Sequence, residues 1–217
     1  VITKDSEHYF IDGKEYVRAT TPLSILNRPS LVDWLTRNSQ EVTEQWTEQT
    51  RDIGLEVHRL ISEIIAGRSF SDTPAHILEW SQLDESIRNG LRCYEKARLT
   101  LDFEPIEAEK LLVSEEYGYA GTTDLLCEIH GDDWLLDWKV SSRLWPEVEY
   151  QLAAYWNAYR EMTGRDMAGC RAIRLSRESG NWTPKDQLVM TPEKLAQKFE
   201  IYLCILKVWR DLNGSSR

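Results

Sequence analysis

Residues 106–140 limit what this chain can fold into more than any other stretch does. Segments 106–113, 119–129 and 134–140 are rich in aliphatic, aromatic and β-branched residues, and turn signals separate them, His130-Gly131-Asp132 being the second. They read as three consecutive strands joined by tight turns. Strands that follow one another with no helix between them pair antiparallel, and such a sheet needs other elements to cover its apolar face.

The flanking sequence supplies them. Residues 8–17 read as a small hairpin around Asp12-Gly13. Thr20 or Thr21 can cap a short helix that starts at Pro22 and runs through Ile25, and Ser30 can cap another carrying Leu31, Trp34 and Leu35. Over residues 40–66, Val42, Trp46, Ile53, Val57, Ile61, Ile64 and Ile65 fall on one stripe of a long amphipathic helix, with Gly67 as its C-cap. Residues 83–101 give a further helix, with Ile87, Leu91, Tyr94 and Leu99 towards its buried face. Downstream, Pro146 opens a helix through Tyr159 that Gly164 ends, and 170–175 and 187–190 read as strands. Thr191-Pro192-Glu193 then caps a final helix with the stripe Leu195, Phe199, Leu203, Leu206 and Trp209. The expected fold is α/β, a mixed sheet flanked by helices with an N-terminal helical elaboration. One domain is expected over 1–217: a hairpin and helical part (1–101), a sheet with a crossover helix (102–190) and a C-terminal helix (191–217).

Charge and cysteine usage narrow the function classes. No run approaches eighteen apolar residues, and the first five residues lack the basic and apolar regions of a signal peptide, so a cytoplasmic protein without a membrane partner is expected. Cys93, Cys127, Cys170 and Cys204 are widely spaced with no CxxC pair, which argues against a zinc knuckle and suits buried reduced thiols. The net charge of −10 counts against strong non-specific binding to nucleic acid, whose phosphates are usually neutralised by Lys and Arg. Net charge is not charge distribution, however, and a carboxylate-rich metal centre brings its own cations.

The chemistry concentrates on two of the strands. In Trp134-Leu135-Leu136-Asp137-Trp138-Lys139 the side chains alternate, so Asp137 and Lys139 share one face. Alone, Asp-x-Lys suits a solvated edge strand equally well. Thirteen positions earlier, Gly121-Thr122-Thr123-Asp124 puts a second acid on the preceding strand, and the turn can bring Asp124 beside Asp137. Two carboxylates can hold a hard divalent cation such as Mg²⁺ or Mn²⁺, and an adjacent Lys suits phosphodiester hydrolysis.

Gly121-x-x-Asp124, Asp137-x-Lys139 and Gln151-x-x-x-Tyr155 together resemble the PD-(D/E)XK nuclease superfamily, in particular its RecB-like exonuclease branch, which includes phage-type exonucleases, CRISPR adaptation nucleases and the mitochondrial genome maintenance exonuclease. Upstream, Gly54-Leu55-Glu56-Val57-His58 has the form of that branch's Gly-x-x-x-His helix, with Gly54 one turn before His58 and leaving room beside the ring. The resemblance implies a restriction-endonuclease-like fold and spans Gly54 to Tyr155. Thr123 stands where the superfamily's name has Pro, and the four cysteines match none of the branch's iron–sulfur arrangements, so no iron–sulfur cluster is expected.

The resemblance implies His58, Asp124 and Asp137 as metal ligands, completed by the backbone carbonyl of Trp138 or Val140. Catalysis would rest on Asp124, Asp137, Lys139 and an upstream acid, Glu109 with Glu107 as the runner-up. Gln151 and Tyr155, on one helix face, and Arg143, in the loop after Lys139, would contact substrate. Arg171, Arg174 and Arg177 could add a local basic patch. Trp34, Trp46 and Trp209 lie on apolar stripes and read as core. The expected activity is Mg²⁺- or Mn²⁺-dependent DNA exonuclease action on single strands or duplex ends, in recombination, repair or phage replication, in a bacterial or phage-encoded protein. The alternatives are a catalytically silent DNA-end-binding module, with a protein partner in a recombination or replication complex, and a structural metal site in an unrelated enzyme.

Overall fold

A computed structural model describes residues 1–26, 36–67 and 80–214. The helix expected after Ser30, with Leu31, Trp34 and Leu35, lies outside the described residues. The elements are β1 (Ile2–Lys4), β2 (His8–Ile11), β3 (Lys14–Arg18), a 3₁₀ turn (Thr21–Ile25), α1 (Gln40–Ile65), α2 (Glu85–Leu101), β4 (Phe103–Ser114), β5 (Tyr119–Ile129), β6 (Asp132–Lys139), α3 (Glu147–Thr163), β7 (Gly169–Arg174), β8 (Gln187–Met190) and α4 (Pro192–Leu212). Local chemistry accounts for the boundaries. The β2–β3 and β5–β6 turns place Asp12-Gly13 and His130-Gly131 at positive φ, as two-residue hairpin turns require. Ser39 caps α1 by accepting from the Val42 amide, and Thr191 caps α4 by accepting from that of Lys194.

The eight strands among the described residues form one mixed sheet, in the order β1-β2-β3-β5-β6-β7-β8, with β4 also paired to β5. The N-terminal hairpin is therefore part of the sheet rather than of a separate helical region. β4 runs antiparallel along one edge of β5. Two strands share the other edge: β3 pairs in parallel at Val17–Tyr119 and Arg18–Ala120, and β6 pairs antiparallel from Leu125–Leu136 to Ile129–Asp132. Between them, Gly121-Thr122-Thr123-Asp124 has no strand partner on that edge. The sheet forks there.

Helices cover both faces, giving a three-layer α/β/α arrangement. On one side α3 and α4 pack through Leu152, Ala153, Ala154, Tyr202 and Leu206 against Leu126 and Leu135. On the other, Val57 and Ile61 of α1 and Leu91 and Tyr94 of α2 meet Leu125, Leu136 and Trp138, with Tyr94 edge-on to Trp138 at 5.4 Å. Among the described residues, no helix is long and apolar enough to cross a membrane.

Three burial expectations change. Leu99 is 83% exposed, because it lies two residues from both Ala97 and Leu101 and so points away from the face they bury. The α1 stripe is buried only in its C-terminal half, leaving Val42 and Trp46 exposed, whereas Trp209 is core. Cys93, Cys127 and Cys170 are buried thiols, but Cys204 is exposed.

Candidate active site

The fork in the sheet creates a cavity of about 360 Å³, walled by strands β1 to β6 and by α1 and α3. Asp124 and Asp137 lie one step beyond Leu125–Leu136, the last ladder pair of β5 and β6, and so face each other where the strands part. The backbone groups released by the parting find side chains instead. The Trp138 amide donates to Asp124 Oδ2 (2.6 Å), and Thr123 Oγ1 donates to the Leu136 carbonyl (3.3 Å).

The two acids are held differently. His58 of α1 reaches across so that its Nδ1 lies 2.9 Å from Asp124 Oδ1. Burial by itself favours the neutral ring, but the Asp124 charge and hydrogen bond, helped by Asp137, outweigh it and raise the His58 pKa. Asp137 is almost fully buried, at 2% exposure. Its Oδ1 accepts from Gln151 Nε2 at 3.0 Å, and the same amide nitrogen donates to the Tyr155 hydroxyl at 3.1 Å. Its Oδ2 lies 2.5 Å from Lys139 Nζ, an ion-pair contact outside hydrogen-bond alignment, and has no hydrogen-bond partner. Burial raises the Asp137 pKa, the Lys139 charge opposes that, and Asp124 adds to it.

Glu109 is the third acid. It falls between the Ala108–Leu125 and Lys110–Thr123 pairs, level with Asp124, in the left-handed region at φ 51°. A non-glycine residue in that conformation is strained by about 1–3 kcal/mol. The buried face of the strand changes here: Ala108 packs with the α1–α2 layer and Leu112 with the α3–α4 layer, although they are four positions apart, and β5 changes likewise between Tyr119 and Leu125. Glu109 lines the cavity from an exposed position on its rim, where partial loss of solvation first, and then repulsion from Asp124, raise its pKa. Glu107, the other candidate, is directed outward and pairs with Lys110 at 2.5 Å.

Of the residues expected from sequence, the cavity brings together His58, Glu109, Asp124, Asp137, Lys139, Gln151 and Tyr155. The Trp138 side chain lies in the opposite core, and Val140 follows the end of β6. Arg143 does not line the cavity; its guanidinium stacks on Trp145, 3.6 Å from the ring centroid. Nor do the other arginines make a free patch. Arg171 stacks on Trp134 and bonds Gln187, Arg174 pairs with Asp186, and Arg177 lies over Trp46.

Gly54 meets nothing within 4 Å of an added Cβ, so it keeps the cavity wall open rather than relieving a clash with His58. Gly121 is the glycine that sterics demand, since a Cβ there would lie 2.4 Å from Tyr155 Cε1. Lys4, Tyr9, Arg18 and Arg51 also line the cavity and were not singled out from sequence, because the hairpin that carries most of them is remote in the chain and has no motif of its own.

As they stand, no three His, Cys, Asp or Glu side chains among the described residues converge on one point. Both Asp124 oxygens are engaged, by His58 and by the Trp138 amide. Asp137 Oδ2 points the other way, because its contact is the Lys139 ammonium at 2.5 Å and it makes no aligned hydrogen bond, so it is the acid oxygen here least satisfied by protein donors. Oxygen donors of this kind fit a hard divalent cation. A slightly larger cavity, of about 420 Å³ near His8, Glu115 and Trp209, offers no buried acid.

No family model matches the chain, and no curated protein is similar to it at a significant level. Among solved structures, a crystal structure of a protein from Eubacterium rectale named as a candidate exonuclease is similar over 76% of this chain and 69% of that one, with 14% identity and a TM-score of 0.50. That likeness is one of fold: a mixed sheet flanked by helices. A second structure, of a protein called SSO0001, covers 79% of this chain and 86% of its own at 13% identity, with a TM-score of 0.33, which carries no argument.

Proposed function

We propose that the chain is a Mg²⁺- or Mn²⁺-dependent nuclease of RecB-like type, an exonuclease acting on single-stranded DNA or on duplex ends. One observation carries the reading: a buried Asp137, with one oxygen free of hydrogen bonds, stands cross-strand from Asp124 and against Lys139 at the fork of the sheet. An ion pair that served stability alone would be expected on the surface, or fully hydrogen-bonded if buried.

Asp124, Asp137 and Glu109 would hold the cation, with His58 and a backbone carbonyl of Trp138 or Val140 as further donors. When bound, such an ion polarises the phosphodiester and lowers the pKa of a water. The chain's own groups do the rest. Gln151 fixes the Asp137 carboxylate through Oδ1, which leaves Oδ2 to Lys139. Tyr155 orients Gln151 in turn, and Gly121 admits the Tyr155 ring. Lys139 holds its ammonium beside Asp137, where it can orient an attacking water and offset charge developing on the phosphoryl oxygens.

The test is digestion of end-labelled DNA with Mn²⁺ by the wild type, Asp137→Ala and Lys139→Ala. Both substitutions are expected to lower the rate by at least about 10²-fold; equal rates in all three would sink the assignment. The second reading, a silent DNA-end-binding module with a protein partner, draws on the engagement of both Asp124 oxygens. It predicts DNA binding without turnover, whichever divalent ion is added.

A further inference from the structure

The chain carries a net charge of −10, so a polyanion is repelled by most of it and needs a local reason to approach. The cavity supplies one. Besides Lys139 it is lined by Lys4, Arg18 and Arg51. The hairpin strands β1 and β3 supply Lys4 and Arg18, which lie on either side of Tyr9, each 5.8 Å from its ring centroid. The Arg18 amide donates to the Glu7 carbonyl (2.7 Å) and one guanidinium nitrogen to the Asp5 carbonyl (3.1 Å), so this side chain is positioned by backbone. The Tyr9 hydroxyl is 3.0 Å from Thr122 Oγ1, which ties the hairpin to the unpaired stretch of β5. Arg51, exposed on α1, stands two turns before His58 on the same face. Its ion contact with Asp52 is long, at 3.6 Å.

A volume of about 360 Å³ is near the lower end for small-ligand sites, room for about one nucleotide. A wall of cations beside a floor of acids is the arrangement needed to hold the phosphates that flank a diester placed over Asp124 and Asp137. Resting on the nuclease reading, we propose that Lys4, Arg18 and Arg51 form a phosphate-binding wall that takes the backbone of single-stranded DNA next to the scissile diester. Tyr9 is the spacer that keeps the two hairpin cations apart. Selection is by charge and by the width of one strand, and so is independent of base sequence.

The test is binding of a fluorescein-labelled oligothymidylate by anisotropy, in chelator so that no turnover occurs, across a salt series. Lys4→Ala/Arg18→Ala is expected to weaken binding by about tenfold at roughly 0.1 M salt and to flatten the slope of log affinity against log salt by about 1.4, two single-strand phosphate contacts. Arg51→Ala, on a separate element, should flatten it by about 0.7. Arg18→Lys, which keeps the charge, should stay near the wild type. Wild-type binding that neither alanine variant alters would overturn the wall while leaving the Mn²⁺ digestion result untouched. A blunt duplex bound as tightly as the single strand would overturn the single-strand assignment. Should the wild type bind no oligonucleotide yet digest DNA with Mn²⁺, the wall fails and the nuclease reading stands; failure of both assays removes both.

Discussion

Glu109 shows how much one residue can determine. Its left-handed backbone lies where β4 changes its buried face and sets a carboxylate on the cavity rim at the level of Asp124, at the cost of local strain and of repulsion between two acids. Glu109→Gly removes the strain and the repulsion with Asp124 together. It is expected to raise stability by about 1 kcal/mol after the entropy that glycine forfeits, a rise in Tm of about 2–4 °C, while Mn²⁺ affinity falls. Paired thermal melts and calorimetric titrations check this, and a lower Tm in the variant would refute it. Sequence could not separate Glu109 from Glu107, because period-two alternation puts both on one face; the distinction depends on a backbone irregularity that no residue type announces. Asp124, Asp137 and Lys139 were legible because their spacing on two adjoining strands survives any small error in register. Arg143 was misplaced because proximity in sequence to Lys139 says nothing about the path of the loop, which carries the side chain onto Trp145.

At the scale of elements, α3 is the piece that relates core to chemistry. It buries Leu152, Ala153, Ala154 and Tyr155 against the sheet and α4, while Gln151 reaches Asp137. Its docking against α4 is reinforced by Glu149, which accepts from Lys194 at 2.9 Å and pairs with Lys198 at 2.5 Å. Burial tends to raise the Glu149 pKa, but the two lysines outweigh it and hold it below its ordinary 4.5. The sign follows: stabilisation is complete above that value and is lost as pH falls through the depressed one. Glu149→Gln should therefore cost roughly 0.5–1 kcal/mol at neutral pH, and the difference from wild type should vanish in acid, as urea titrations at several pH values would show. A constant difference across the range would assign the effect to packing. Most elements were legible because their signals are local: Asx-Gly hairpin turns, the Thr191 cap, the alternation of β6. The pairing of β3 with β5 was not, because two short strands far apart in sequence carry no local mark of each other.

At the scale of the whole molecule, one sheet underlies both helical layers, so the two cores share their central strands. Leu125 and Leu126, adjacent on β5, serve opposite cores, as do Leu135 and Leu136 on β6. Neither layer can dissolve without exposing the back of the other. Thermal unfolding followed by circular dichroism and by tryptophan fluorescence is expected to give coincident single transitions; two separated midpoints would mean that the layers unfold independently. The charge balance also reads differently at this scale. A net −10 was a poor omen for binding nucleic acid while the charges were only counted, and becomes a device for directing it once they are placed.

The fork between β3 and β6 also bears on the order of assembly. Val17 and Arg18 lie about a hundred residues before Tyr119 and Ala120, the partners they need. Contacts so distant along the chain form late, after nearby hairpins such as β5–β6 have closed. Asp124 and Asp137 can thus meet early, whereas the wall carrying Lys4, Tyr9 and Arg18 arrives afterwards. The acids are brought together first, and the cations that would draw in DNA complete the centre last.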